Sequence, residues 1–200
     1  MLAIEDLRTP LIGPVSLAVE RGQISALLGP SGSGKSLILR AIVDLDPNEG
    51  TVTLDVQERA SMPAPEWRRR VALVPAESGW WADRVCDHFD AESELAGLLE
   101  AVELPEALDW YVARLSSGER HRLAIVRALA NRPDALLLDE PTATLDEHAT
   151  GLVEALIRDQ CERGVAVLLV THDEAQPARL SAGRHRVERG RLVSLPGVAL

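Results

Sequence analysis

The chain has 200 residues, 46% of them hydrophobic and 26% charged, and carries a formal net charge of −10. That length suits one domain with a well-formed core. The acidic balance argues against nucleic acid as a main partner, because displacing counterions from a phosphate backbone needs a basic face.

In chain order, residues 2–7 and 15–20 alternate apolar and polar side chains, as half-buried antiparallel strands do. Residues 23–28 form a more continuous apolar strand that runs into a glycine-rich loop, and 34–43 read as a helix. Short strands follow at 51–55 and 70–74. From about 77 to 114 the strand pattern is lost, and a short helical insert is predicted. Leu123, Val126, Arg127 and Ala130 fall at helical spacing after Ser117-Gly118-Glu119. Apolar runs at 135–138 and 165–170 are of the kind found in buried parallel strands. Between them Leu145, Ala149, Leu152, Val153, Leu156 and Ile157 make an amphipathic helical stripe that Gly164 stops. Residues 184–188 and 192–195 close the chain as two short strands around Arg189-Gly190-Arg191. Strands alternating with helices around such a loop imply an α/β fold with a mainly parallel core sheet.

The six aromatic residues, Trp67, Trp80, Trp81, Phe89, Trp110 and Tyr111, all fall before residue 112, and the insert is expected to hold the large flat side chains. They either form its own small core or face a partner. Cys86 and Cys161 stand far apart without metal-ligand spacing and read as packing residues in a reducing compartment. Neither end reads as a signal peptide, and the longest apolar run is far too short to span a bilayer, so a soluble, cytoplasmic chain is expected.

The most informative segment is Gly29-Pro30-Ser31-Gly32-Ser33-Gly34-Lys35-Ser36. It holds the one lysine among 21 basic residues and fits G-x-x-x-x-G-K-S/T, the phosphate-binding P-loop. Such a loop surrounds a phosphate with backbone N–H groups, and a compact ammonium can fold over it where a planar guanidinium would not fit. Gly32 and Gly34 let the backbone approach without a Cβ in the way. Ser36 offers a hydroxyl to Mg²⁺ at the N-terminus of a helix whose dipole favours the anion. The apolar run 135–138 ends in Asp139-Glu140, where an acid beside a P-loop can serve Mg²⁺ (Asp139) and the next can polarise an attacking water (Glu140).

With Leu115-Ser116-Ser117-Gly118-Glu119-Arg120 added, the sequence resembles the nucleotide-binding subunit of ATP-binding cassette transporters over nearly its whole length. Leu115–Arg120 is similar to the family's LSGGQ signature, with Ser117 in place of the first glycine and Glu119 in place of glutamine. Ala143-Thr-Leu-Asp146 is similar to the D-loop, and Thr171-His172-Asp173 to the switch histidine segment.

The resemblance implies ATP and Mg²⁺ as cofactors. ATP would be held by residues 29–37, Leu37 included, with Ser36 and Asp139 on the metal and Lys35, Glu140 and His172 in hydrolysis. Ser116, Ser117, Gly118, Glu119 and Asp146 would act on the nucleotide of a second copy, making a head-to-tail homodimer. That pair would drive a separate polytopic membrane subunit from the inner face of the cell membrane. The nucleotide-binding core would comprise residues 1–76 and 117–200, with a short helical subdomain at 77–116. The short insert and Gly79-Trp80-Trp81-Ala82-Asp83 further resemble small stand-alone cassettes linked to metal export, iron in particular.

Three departures stand out. Where the family places a glutamine after the strand at 71–74, this chain has Ala76, which cannot ligate Mg²⁺; Glu77 either substitutes by a one-residue shift or stays solvated. No aromatic precedes the P-loop to stack on adenine, leaving Arg8 or the apolar Leu11 and Ile12, so discrimination between ATP and GTP is expected to be loose. The insert is short, and Trp80 and Trp81 either dock the membrane subunit or pack inside it. Ala76 and the missing aromatic leave room for a rival function: a regulatory assembly module that binds nucleotide with little turnover.

Overall fold

A computed structural model describes residues 1–90 and 95–193. Strands β1 (Leu2–Arg8), β2 (Val15–Val19) and β3 (Ile24–Leu28) lead into helix α1 (Lys35–Ile42). After β4 (Glu49–Leu54), β5 (Gln57–Glu58), α2 (Ala64–Arg70) and β6 (Val71–Val74), the insert carries α3 (Ala96–Ala101) and ends at α4 (Ser117–Ala130). Then come β7 (Ala135–Asp139), α5 (Glu147–Glu162), β8 (Ala166–Val170), α6 (Gln176–Arg179), β9 (Gly183–Glu188) and β10 (Arg191–Val193).

The strands form two sheets. An antiparallel sheet has the order β2-β1-β4-β5, and a six-stranded sheet has the order β10-β9-β3-β8-β7-β6. In the larger sheet only the β9–β10 pair is antiparallel. All five residues of β3, β7 and β8 are buried, as expected of central parallel strands covered on both faces. Side chains alternate between the faces with a period of two. Ala26, Leu136, Leu138, Val167 and Leu169 join α4, α5 and the insert in one core cluster. Leu27, Ala135, Leu137, Ala166, Leu168 and Val170 join α1 and the antiparallel sheet in the other.

This topology places the site. Because β3, β8 and β7 are neighbours, Leu27, Val170 and Asp139 stand in register across three strands. The loops leaving those strands therefore meet at one sheet edge, where parallel α/β folds bind ligands. The C-terminal end of α1 is held from behind. Its Ile42 carbonyl accepts from Trp67 Nε1 at 3.0 Å, its Ala41 carbonyl accepts from Arg59, and Arg68 donates to Val43 O at 3.0 Å. These donors satisfy carbonyls that a helix end otherwise leaves orphaned.

The fold class expected from the sequence is the one observed, and the differences are local. Helices α2 and α6 have no strong periodic signature in the sequence, being seven and four residues long. Trp67 departs from the expectation that the large flat side chains belong to the insert. It is fully buried in the main core beneath α1, because α2 needs a bulky anchor against the sheet. The insert itself is mostly irregular: among the described residues it has six-residue α3 and three single 3₁₀ turns. Of the closing strand expected at 192–195, the last two residues lie outside the described part of the chain. Among the described residues, no helix is long and apolar enough to cross a membrane.

Candidate functional site

The P-loop turns sharply into α1 at Gly34, whose φ of 101° is a left-handed value that side chains resist. Gly34 offers no capping side chain, and the first turn of α1 has no acidic residue, so the amide groups there remain available to an external anion. Lys35 is nearly buried and folds back along the loop, its Nζ donating to Gly29 O at 2.7 Å and Pro30 O at 3.0 Å. Ser33 Oγ, beside Gly29, is buried without a hydrogen-bond partner and does not line the cavity.

Lys35 and Ser36 share a cavity of about 360 Å³ with Ser31, Gly32, Leu37, Ala76, Asp139, Glu140 and His172. Three separate stretches of sequence, around 35, 140 and 172, thus converge as expected. Burial pushes the Asp139 carboxyl up; the nearby Glu140 charge adds to that shift, and the Ser36 hydroxyl and Lys35 oppose it. A buried carboxylate beside a serine hydroxyl suits Mg²⁺, which takes one or two protein oxygens and completes its shell from phosphates and water. Among the described residues no cluster of three or more histidine, cysteine or acidic side chains could cage an ion alone. The Ser36 hydroxyl and the Asp139 carboxylate are the two protein oxygens that would hold a metal bound together with a nucleotide.

Glu140 departs from β7 with a φ of 53°, while its N–H donates to Val170 O at 2.9 Å. This aims its carboxylate at the loop after β8. Glu140 Oε2 lies 2.8 Å from His172 Nδ1 and accepts the His172 backbone N–H at 3.3 Å. His172 itself is largely exposed, so it can reach a ligand from the rim. Ala76 sits at the cavity wall, where the family's glutamine was expected, while Glu77 is exposed and absent from the lining.

The signature residues are not in this cavity. Ser116 caps α4 in a capping box: its Oγ accepts from Glu119 N at 3.2 Å, and Glu119 Oε2 accepts from Ser116 N and Oγ, both at 2.8 Å. Asp146 caps α5, its Oδ1 accepting from Ala149 N at 2.7 Å. The two segments touch each other, since a Cβ on Gly118 would lie 3.4 Å from Leu145 Cδ2. They form a second, exposed surface outside the cavity.

Two supporting groups have no sequence motif. Gln176, fully buried, donates from Nε2 to Thr142 Oγ1 at 2.9 Å. Arg179 pairs at once with buried Glu154, at 2.7 Å, and with Asp173, at 2.8 Å. Gln176 ties the histidine loop to the turn after Glu140, and Arg179 ties it to α5. On the other side, His121 of α4 is buried and hydrogen-bonded to the Pro141 backbone; burial pushes its imidazole down against that bond.

A second cavity of about 480 Å³ adjoins the first and shares Ser36 and Asp139 with it. Its other walls include Arg40, Arg68, Trp81, His88 and Arg127. The two tryptophans differ in burial. Trp80 is half-buried and packs on the core, whereas Trp81 is 71% exposed. The Arg127 guanidinium lies over both rings, at 4.7 and 4.9 Å. His88 Nε2 accepts the backbone N–H groups of Trp81 and Ala82 at 2.9 and 3.1 Å.

Comparison with known proteins identifies the family. The "Phosphate import ATP-binding protein PstB 2" of Natronomonas pharaonis is 32% identical over 201 residues, covering 86% of this chain and 70% of that protein. The "Lipoprotein-releasing system ATP-binding protein LolD" of Bordetella pertussis is 35% identical over 207 residues, covering 92% and 88%. A solved structure described as an ATP binding subunit of an ABC transporter superposes with a TM-score of 0.87 at 26% identity, over 96% of this chain and 88% of that one. The family model for the ABC transporter matches residues 12–143. The chain belongs to the ABC transporter family, as one of its ATP-hydrolysing subunits.

Proposed function

We propose that two copies of this chain close head to tail around ATP and thereby move a separate membrane subunit. The observation that carries this reading is the division of the motif residues between two surfaces. Lys35, Ser36, Asp139, Glu140 and His172 line one cavity, while Ser116, Gly118 and Asp146 stand away from it. A nucleotide between two copies brings them together. Lys35 and the amide groups around Gly34 bind the phosphates, Ser36 and Asp139 hold Mg²⁺, and the donors at the start of α4 in the second copy meet the γ-phosphate. Glu140 acts as the base toward water, with its carboxylate oriented by His172.

The second cavity supports the link to a membrane subunit at the cytoplasmic face. It presents exposed Trp81 and the guanidinium groups of Arg68 and Arg127, and it opens onto Ser36 and Asp139. A helix seated there would sense the metal site directly. On the base side, Ile12 is buried, and a Cβ on Gly34 would lie 2.7 Å from its Cγ2, which leaves exposed Leu11 and Arg8 to contact the nucleobase. Export of a metal ion, iron in particular, is the cargo that the short insert and residues 79–83 support.

The test is sedimentation of the Glu140→Gln protein with and without Mg-ATP. An ATP-dependent dimer is the expected result. A monomer at saturating ATP would overturn the closure mechanism and favour the rival regulatory module, for which Ala76 at the cavity wall speaks.

A further inference from the structure

We propose that the turn joining β9 to β10, through Gly190, is a positioning element for the nucleotide: it aims the P-loop's phosphate-binding amide groups. Gly190 lies some 150 residues downstream of the P-loop and belongs to none of the recognised motifs. Both of its backbone polar groups are committed to the site. Its N–H donates to Ser33 O at 2.8 Å, and its carbonyl accepts the Gly13 N–H at 2.8 Å. One residue thus bridges the P-loop and the loop at 11–13 that carries exposed Leu11.

The peptide plane makes this contact consequential. In a trans peptide the C=O of one residue and the N–H of the next point in opposite directions. Pinning Ser33 O onto Gly190 therefore turns the Gly34 N–H away from the hairpin, toward the side of the loop that lines the cavity. The donor is aimed before any ligand arrives, which spares the cost of ordering it on binding. Inference about that donor rests on the reading that the P-loop holds ATP phosphates.

The packing allows little else at position 190. Gly190 has a φ of 75°, and a Cβ there would lie 2.7 Å from Leu11 O and 2.9 Å from Ile12 Cα, both of them backbone atoms. A Cβ on Gly34 would come within 3.4 Å of Gly190 Cα, and one on Gly29 would collide with Val187 O in β9. Three backbone segments meet here, with the Ile12 Cγ2 methyl the one side-chain atom among these closest neighbours of Gly34 and Gly190, so a shift of the turn passes to the loop.

The experiment compares Gly190→Ala with Gly164→Ala. Gly164 also has a left-handed φ, 91°, but a Cβ there meets nothing within 4 Å, so its variant carries backbone strain alone. Gly190→Ala is expected to raise the KM for ATP about tenfold while kcat at saturation stays within about twofold; Gly164→Ala leaves KM unchanged. A folded Gly190→Ala protein with the parent's KM would overturn the proposal, and so would a loss of kcat alone, the mark of a smaller folded fraction. Should that variant not fold, amide exchange on the unaltered protein decides. ATP is expected to slow exchange at Gly190 and Gly34 but not in the β4–β5 hairpin, and an unchanged Gly190 amide would refute the clamp. Failure of the unaltered protein to bind ATP would instead strike at the phosphate-site reading.

Discussion

Glu140 and His172 form a single unit: one carboxylate oxygen, Oε2, faces Nδ1 of the imidazole at 2.8 Å and the backbone N–H of the same residue at 3.3 Å. The left-handed backbone of Glu140, at a φ of 53°, is what turns the carboxylate toward that loop. Strain of this kind persists where the surroundings over-determine the conformation. Here a strand hydrogen bond to Val170 on one side and the Gln176–Thr142 tether on the other do so.

Glu140→Gln should slow ATP turnover by about 10²–10⁴-fold while leaving ATP binding intact. His172→Ala should act on the same step, and the double variant should be far less impaired than the product of the two, because both remove one unit. Steady-state hydrolysis of the three proteins measures this. Independent, multiplying losses would show that the contact has no part in catalysis.

Asp139→Asn should separate stability from function. The carboxylate is buried, and Glu140 stands next to it in sequence, so neutralising it removes a repulsion and a desolvation cost. The expected outcome is a Tm raised by about 2–4 °C without nucleotide, together with loss of Mg²⁺-stimulated hydrolysis. A lowered Tm would mean that the carboxylate is held by more than Ser36 and Lys35.

Trp80 and Trp81 should respond oppositely to truncation. Trp80→Ala removes core contact and should cost about 2 kcal/mol of stability, read by denaturant unfolding. Trp81→Ala should stay within about 0.5 kcal/mol of the parent yet lose binding to the membrane subunit. Retained binding by the Trp81 variant would move the docking face elsewhere.

Base discrimination should be weak. If the nucleobase lies against exposed Leu11, as proposed above, it meets an aliphatic side chain rather than a ring, and ATP and GTP should bind within about fivefold of each other. Leu11→Tyr should tighten ATP by a similar factor. Titration with both nucleotides checks this, and a strong native preference for ATP would count against it.

Acid should destabilise the protein through carboxyls that arginines hold below the usual range, among them Asp55, Asp134 and Asp173. Asp55 is held chiefly by Arg21, Asp173 by Arg179, and Asp134, against the cost of its burial, by Arg21 and Arg70. A depressed carboxyl stabilises the fold fully above its unfolded value, about 3.9, and ceases to do so as pH falls below it. The pairs are partly exposed, so salt will weaken the effect. Arg21→Gln should therefore lower Tm at pH 7 and flatten its fall between pH 5 and about 3. A variant whose Tm tracks the parent's at every pH would refute this.

What the sequence determined by itself is the part of the protein whose physics is local. The P-loop, the Asp139-Glu140 strand end and the signature segment at 115–120 are read from adjacent residues, because glycine conformations, strand burial and short motifs depend on neighbours a few positions away. The buried apolar runs of β3, β7 and β8 are enough on their own to imply a parallel core. The tertiary structure alone decided which strand ends stand side by side, hence that residues around 35, 140 and 172 share one cavity while Ser116 and Asp146 do not. It also placed Trp67 inside and Trp81 outside, joined Gln176 to Thr142, and set Gly190 against Ser33. Those contacts span up to 157 residues of chain. They follow from sheet order and from which face each side chain takes, and no short-range pattern encodes either one.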